Sequence, residues 1–401
     1  MSKLIPAAFL RSNAVVAASD FARHCLAYLR MPKKARQANR LAVEQIEQSR
    51  QNQTVAGAFA LCLSPDRTAE ALDGLDRCYY SPPDFERVTW VSREVPTPFV
   101  GFAPAPGRLV SGFINDMQFR YAREIEVPKP KDVCRIFVTG ASTAFGTGAS
   151  SNDTTIAGYL EAYLNEALRP RGVRCEVITA AAGAWGSTHE RILIENRLVE
   201  LEPDIVISFS GHNDVFWSVL GQNLLWFRAF QDNYFLVLLN TVLAANLAEE
   251  FPNRDLGARV PVSPSLTAER IARNVACAHH ALATVGADYV FALQPVMEVS
   301  EKVRTPREER AANAVSSLNW FIEMRDYYQE IRRTLRALER PGFSFVDATT
   351  SFDACDGNID IFIDTAHFGD RGNDLVAQNL LGPILGRIEK RCWVESDQPP
   401  F

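Results

Sequence analysis

The chain has 401 residues, 47% hydrophobic and 22% charged, enough apolar material for one large core or two domains. A formal net charge of -6 argues against the basic stripe that nucleic-acid binding requires; the acidity reads as solubility. Eight scattered cysteines (Cys25, Cys62, Cys78, Cys134, Cys175, Cys277, Cys355, Cys392) contain no CxxC pair, so no metal centre is expected, and reduced thiols point to the cytoplasm.

In chain order, the first apolar run, Leu4 to Leu10, is cut by Pro6 and ended by Arg11, which is short for a signal-peptide core. No stretch of about 20 apolar residues occurs, so no membrane span is expected. Residues 1 to 52 read as helical, because Phe21, Cys25, Leu29, Leu41, Val43 and Ile46 recur at roughly helical spacing. The cluster Arg30, Lys33, Lys34, Arg36 and Arg40 is a solvated helix face or linker, with an anion or membrane-surface patch as the alternative. A further helix is expected within residues 53 to 80. From Ser81 to Lys131 the prolines are dense (Pro82, Pro83, Pro96, Pro98, Pro104, Pro106, Pro128, Pro130), which predicts short strands and turns. Residues 1–130 therefore read as an N-terminal accessory region, helical and then proline-rich, packed on a domain of residues 131–401.

That domain alternates strand and helix. Strands are predicted at Ile136–Thr139, Cys175–Thr179, Ile205–Phe209, Tyr289–Leu293 and Phe343–Val346. Helices are predicted at Thr154–Leu168, Glu190–Leu201, Ser265–Val285, Glu309–Leu338 and Gly372–Lys390. Short, nearly continuous apolar strands separated by helices predict an α/β, flavodoxin-like doubly wound sheet of about five parallel strands with helices on both faces. An aromatic-rich helical insertion near 215–250 (Phe216, Trp217, Trp226, Phe227, Phe230, Tyr234) covers the core, forms an interface between copies in a homo-oligomer, or walls an apolar substrate pocket.

Four turns should share the carboxyl edge of such a sheet: Gly140-Ala141-Ser142, Ala180 to Gly183, Gly211-His212-Asn213-Asp214 and Asp364-Thr365-Ala366-His367. Their chemistry is complementary. A serine hydroxyl needs a base to become a nucleophile, and His367 has the right titration range. Asp364, three residues earlier, can fix the tautomer and stabilise the imidazolium. The backbone amides of Ser142 and Gly183, with the Asn213 side chain, can serve as oxyanion donors.

These blocks, in this order, resemble those of the SGNH (GDSL-type) hydrolases, a family in which serine, glycine, asparagine and histidine come from four such segments. Pro203-Asp204-Ile-Val-Ile-Ser and His367-Phe-Gly-Asp-Arg-Gly372 fit the flanks, and the resemblance covers about Arg135 to Ile388. Val110 to Glu126 resembles the lead-in of some bacterial members more weakly. One departure is Ala141, where the family more often has aspartate.

The resemblance implies a serine esterase or acylhydrolase with Ser142, His367 and Asp364 as catalytic residues and Ser142, Gly183 and Asn213 as the oxyanion hole. No cofactor or metal is implied. The expected substrate is a small-molecule ester, with an apolar acyl or aryl group suggested by the insertion. His212, Phe145, Trp185 and Phe216 are the candidate substrate contacts. Two rivals stay open: an acyltransferase using the same residues, and a catalytically silent binding or scaffold protein.

Overall fold

The computed structural model describes residues 94–109, 111–221, 260–316 and 323–396, all within one compact unit. The helices expected within residues 1–80, the basic cluster Arg30 to Arg40, and the insertion beyond residue 221 lie outside the described residues.

Two small antiparallel hairpins come first: β1 (Glu94–Thr97) with β2 (Gly101–Pro104), and β3 (Gly107–Leu109) with β4 (Gly112–Ile114). They match the short strands expected of a proline-rich stretch. The main sheet is parallel and has five strands: β5 (Val133–Gly140), β6 (Arg174–Ala181), β7 (Ile205–Ser210), β8 (Asp288–Leu293) and β9 (Phe343–Asp347). Their spatial order is β6-β5-β7-β8-β9, the flavodoxin-like doubly wound order. Register aligns Gly140 with Ala181 on one side and Phe209 on the other, and Leu293 with Ser210 and Asp347. All five strands therefore end at one edge.

Every residue of β5 and β7 is buried, as a sheet covered on both faces demands. Helices α1 (Ile156–Leu168) and α7 (Asp370–Ser396) pack on each other over one face. Ile136 and Val138 of β5 join their core, with Ile156, Leu160 and Leu164 recurring at i, i+4 along α1. Helices α2 (Ser187–Asn196), α4 (Pro264–Thr284) and α6 (Met324–Arg336) form a second group, α4 touching both others. Helix α3 (His212–Val219) follows β7, and α5 (Pro306–Val315) follows β8.

Helix ends differ from the sequence expectation where caps decide them. The Thr155 hydroxyl accepts from the Gly158 amide at 3.0 Å and starts α1 at Ile156. Helix α2 starts at Ser187 rather than Glu190, because the Asp214 carboxylate accepts from the Ser187 amide at 2.9 Å. After Asn196 the chain tightens to a 3-10 turn, Leu198–Leu201. The single helix expected over 309–338 is two among the described residues, α5 and α6, with 317–322 outside them. Helix α7 begins at Asp370 and runs to Ser396, past the expected end.

The outer edge of β6 is not bare. Arg120 forms an antiparallel bridge to Thr179, its amide donating to the Thr179 carbonyl at 3.0 Å. Phe119 beside it packs edge-on against Phe137, ring centroids 5.7 Å apart. Among the described residues, no helix is long and apolar enough to cross a membrane.

Candidate active site

β5 is the switch strand, with β6 on one side and β7 on the other. Ligands of open α/β sheets sit in the crevice at that point. Ser142 lies there, opening the helical turn Ser142–Phe145 directly after β5. The turn is possible because residue 140 is glycine. Its φ is +150°, and a Cβ there would stand 2.3 Å from the Phe209 carbonyl oxygen. Gly146 closes the turn in the left-handed conformation, φ +84°.

The structure brings Ser142, His367 and Asp364 together. Ser142 Oγ is 2.8 Å from His367 Nε2 across 225 residues of sequence. His367 Nδ1 is 2.8 Å from Asp364 Oδ2 and 3.1 Å from Oδ1. The three-residue spacing has a local cause. Asp364 Oδ1 also accepts from the backbone amides of Ala366 at 2.8 Å and His367 at 2.7 Å, folding an Asx-type turn. One carboxylate thus shapes the turn and holds the imidazole. Burial alone would raise the Asp364 carboxyl, but His367 and the two backbone amides overcome it and leave it below its ordinary value. Such an arrangement can take a proton from a hydroxyl and keep the resulting imidazolium.

The other two turns are joined to each other. Asn213 Nδ2 donates to the Trp185 carbonyl at 2.7 Å, in the turn that contains Gly183. Asp214 ties the same pair of turns through Ser187, 2.9 Å to its amide and 2.7 Å to its hydroxyl. One amide hydrogen of Asn213 is therefore committed to protein.

The four candidate substrate contacts divide. His212 and Phe216 are partly exposed on α3, ring centroids 6.1 Å apart. His212 Nδ1 is buried without a hydrogen-bond partner among the described residues. Burial, then the neighbouring His367, lowers the His212 pKa to about 4, with Asp364 acting the other way, so the ring is neutral at pH 7. Phe145 is 1% exposed and sits in the core cluster of the α1 face, so it offers a substrate no surface. Trp185 is 2% exposed and stacks on His189 at 6.1 Å with a 5° interplanar angle. Both side chains are thus almost fully buried.

The sequence reading missed residues that brace the site. Gln294, just past β8, donates its backbone amide to the Ser210 carbonyl at 2.9 Å and its side-chain amide to Thr143 Oγ1 at 2.9 Å. A polar residue directly after an apolar strand, at the same edge as the other turns, is the signal that could have found it. Glu308 and Arg307 of α5 hold the segment before Asp364. Glu308 Oε1 accepts from the amides of Ile361 at 2.8 Å and Phe362 at 3.0 Å, and the Arg307 guanidinium donates to the carbonyls of Phe362 and Ile363.

No protein-family model and no curated protein sequence matches the chain. Among solved structures it is similar to the acetyl xylan esterase AlAXEase, at 16% identity over 62% of this chain and 99% of that one, TM-score 0.37. It is also similar to TesA, at 12% identity over 63% and 99%, TM-score 0.37. A GDSL-like lipase from Parabacteroides merdae ATCC 43184 shows 11% identity over 63% and 96%, TM-score 0.39.

Proposed function

We propose that the chain is a serine hydrolase that cleaves an ester through an acyl-enzyme on Ser142. The observation that carries this reading is the pair of 2.8 Å contacts, Ser142 Oγ to His367 Nε2 and His367 Nδ1 to Asp364 Oδ2. In it, His367 removes the Ser142 proton as Oγ attacks the ester carbonyl, and Asp364 fixes the tautomer and stabilises the imidazolium. The tetrahedral oxyanion is held by the backbone amides of Ser142 and Gly183 and by the second Asn213 amide hydrogen. His367 then protonates the departing alcohol, and water, deprotonated by the same imidazole, releases the acid.

The substrate reading is a small-molecule ester with an apolar acyl or aryl group, with Phe216 and the neutral His212 beside it. A silent scaffold has no need of a serine and histidine at hydrogen-bond distance backed by a carboxylate. The cytoplasm as compartment draws on the free thiols of Cys134 and Cys175, aligned across β5 and β6. Residues 131–401 form the hydrolase domain in this reading, and 1–130 its accessory region. Hydrolysis of a panel of p-nitrophenyl esters by the full chain tests the activity. Ser142→Ala is expected to abolish it, and full activity in that variant removes the reading.

A further inference from the structure

We infer that Arg120 is a positioning residue for this site: its guanidinium holds the loop after Ser142 and, through that loop, the start of the helix behind His367. The inference rests on the serine-hydrolase reading. Arg120 lies upstream of β5, in the stretch that the sequence assigns to the accessory region. Its side chain is nevertheless inside the site's scaffold, with the residue 3% exposed.

The contacts are directional. Nη1 donates to the Gly146 carbonyl at 2.8 Å and the Phe145 carbonyl at 3.2 Å. Nη2 donates to the Ser111 carbonyl at 2.6 Å and the Ser151 carbonyl at 3.2 Å. Nε donates to Asn152 Oδ1 at 3.3 Å. The guanidinium carbon stands 5.2 Å from the Phe145 ring centroid, so the plane also packs on the turn. Carbonyls at a tight turn cannot all be met by backbone amides, and burying them unpaired is costly. A planar fork with five N–H donors can meet several at once, whereas an ammonium donates from a single point.

The loop so held touches both reacting side chains' supports. The Thr147 amide donates to the Ser142 carbonyl at 2.9 Å. At its far end, Ser150 donates its amide to Asp370 Oδ1 at 2.8 Å and its hydroxyl to Asp370 Oδ2 at 2.5 Å. Asp370 opens α7, three residues after His367. Gly148 lies between, where a Cβ would meet the Phe368 carbonyl oxygen at 3.0 Å. Arg120 itself is pinned to β6 through Thr179. One buried side chain therefore ties the sheet edge, the Ser142 loop and the His367 turn into one frame.

A shift of about 1 Å between reacting groups can cost on the order of 10²-fold in rate. Arg120→Lys keeps the charge and loses the fork. In the full chain it is expected to lower kcat by about 10- to 100-fold at unchanged KM, and to slow fluorophosphonate modification of Ser142 by the same factor. Circular dichroism and thermal unfolding establish that the variant is folded. A folded R120K protein with kcat within about twofold of the parent overturns the inference, since a purely structural role would move the melting temperature alone. Should R120K not fold, Ser150→Ala reads the far end of the same frame: a several-fold loss of kcat at constant KM supports it, and an unchanged kcat overturns it. Ser142→Ala run alongside separates the two claims. Activity persisting there removes the serine mechanism, whereas its loss beside an undiminished R120K or S150A removes only the role of Arg120.

Discussion

The turn that carries Ser142 is held by a guanidinium, whereas the segment before Asp364 and His367 is held by a carboxylate beside a guanidinium. The first presents backbone carbonyls, and a guanidinium, Arg120, collects them. The second presents backbone amides at Ile361 and Phe362, and a carboxylate, Glu308, accepts from both. Glu308 is fully buried and spends its other oxygen on Lys302 Nζ at 2.6 Å and the Thr305 amide at 2.9 Å. The clamps also differ in independence. Arg120 reaches its loop from a separate upstream segment, whereas Glu308 belongs to the capping box that starts its own helix, so breaking it should damage α5 as well.

The largest expected effect lies within the Asp364–His367 turn, at the contact between Asp364 and the His367 imidazole. Asp364→Asn keeps the shape of the His367 turn but no longer fixes the productive tautomer, and kcat should fall on the order of 10⁴-fold with little change in melting temperature. Steady-state kinetics beside thermal unfolding check this.

Next is the anionic clamp. Glu308→Ala leaves the Lys302 ammonium buried without its carboxylate and frees the Ile361 and Phe362 amides, which should cost about 3–5 kcal/mol in denaturant unfolding. The Ser142 turn keeps its own clamp, so hydrogen exchange should rise first around residues 360–367.

A buried carboxylate in neither clamp gives a contrast. Burial pushes Glu190 up to about 7, with Ser210 and Ser208 hydrogen bonds opposing and Asp214 reinforcing. Its Oε2 is buried without a hydrogen-bond partner among the described residues. The unfolded carboxyl ionises near its ordinary 4.5, so between about 4.5 and about 7 the unfolded chain releases a proton that the folded chain keeps. Stability should therefore fall as pH rises through that window, by on the order of 3 kcal/mol in all. Glu190→Gln should flatten this slope in unfolding curves taken from pH 4 to 8, and an unaltered slope would show that another group sets it.

Among the changes expected to alter stability, the smallest is Gly140→Ala. The Cβ meets the Phe209 carbonyl and Ala144, and the strained φ adds to the cost, about 1–3 kcal/mol together. Because Ser142 follows two residues later, activity should fall further than unfolding data alone would suggest.

What could be read from the sequence was local or strongly patterned. The strands were legible as continuous apolar runs, and Gly140 as a small residue at a strand end. The Asp364–His367 pair was legible because its three-residue spacing is itself the turn. Arg120 was not, because its acceptors are backbone carbonyls, which leave no mark in a sequence. Thr305-Pro306-Arg307-Glu308 carries a capping-box pattern, but the use of Glu308 Oε1 lies 53 residues away at Ile361. The start of α2 was misplaced for the same reason, since its cap comes from Asp214, 27 residues downstream of Ser187. The near-complete burial of Phe145 and Trp185 was not legible, because composition does not distinguish an aromatic that lines a cavity from one that fills a core.

The most direct measurement is reaction of the folded full-length chain with a fluorophosphonate, followed by peptide mass mapping. The account predicts a single adduct on Ser142, formed much more slowly in His367→Ala. A chain that hydrolyses esters while Ser142 stays unmodified, or that carries its adduct on another residue, would contradict it.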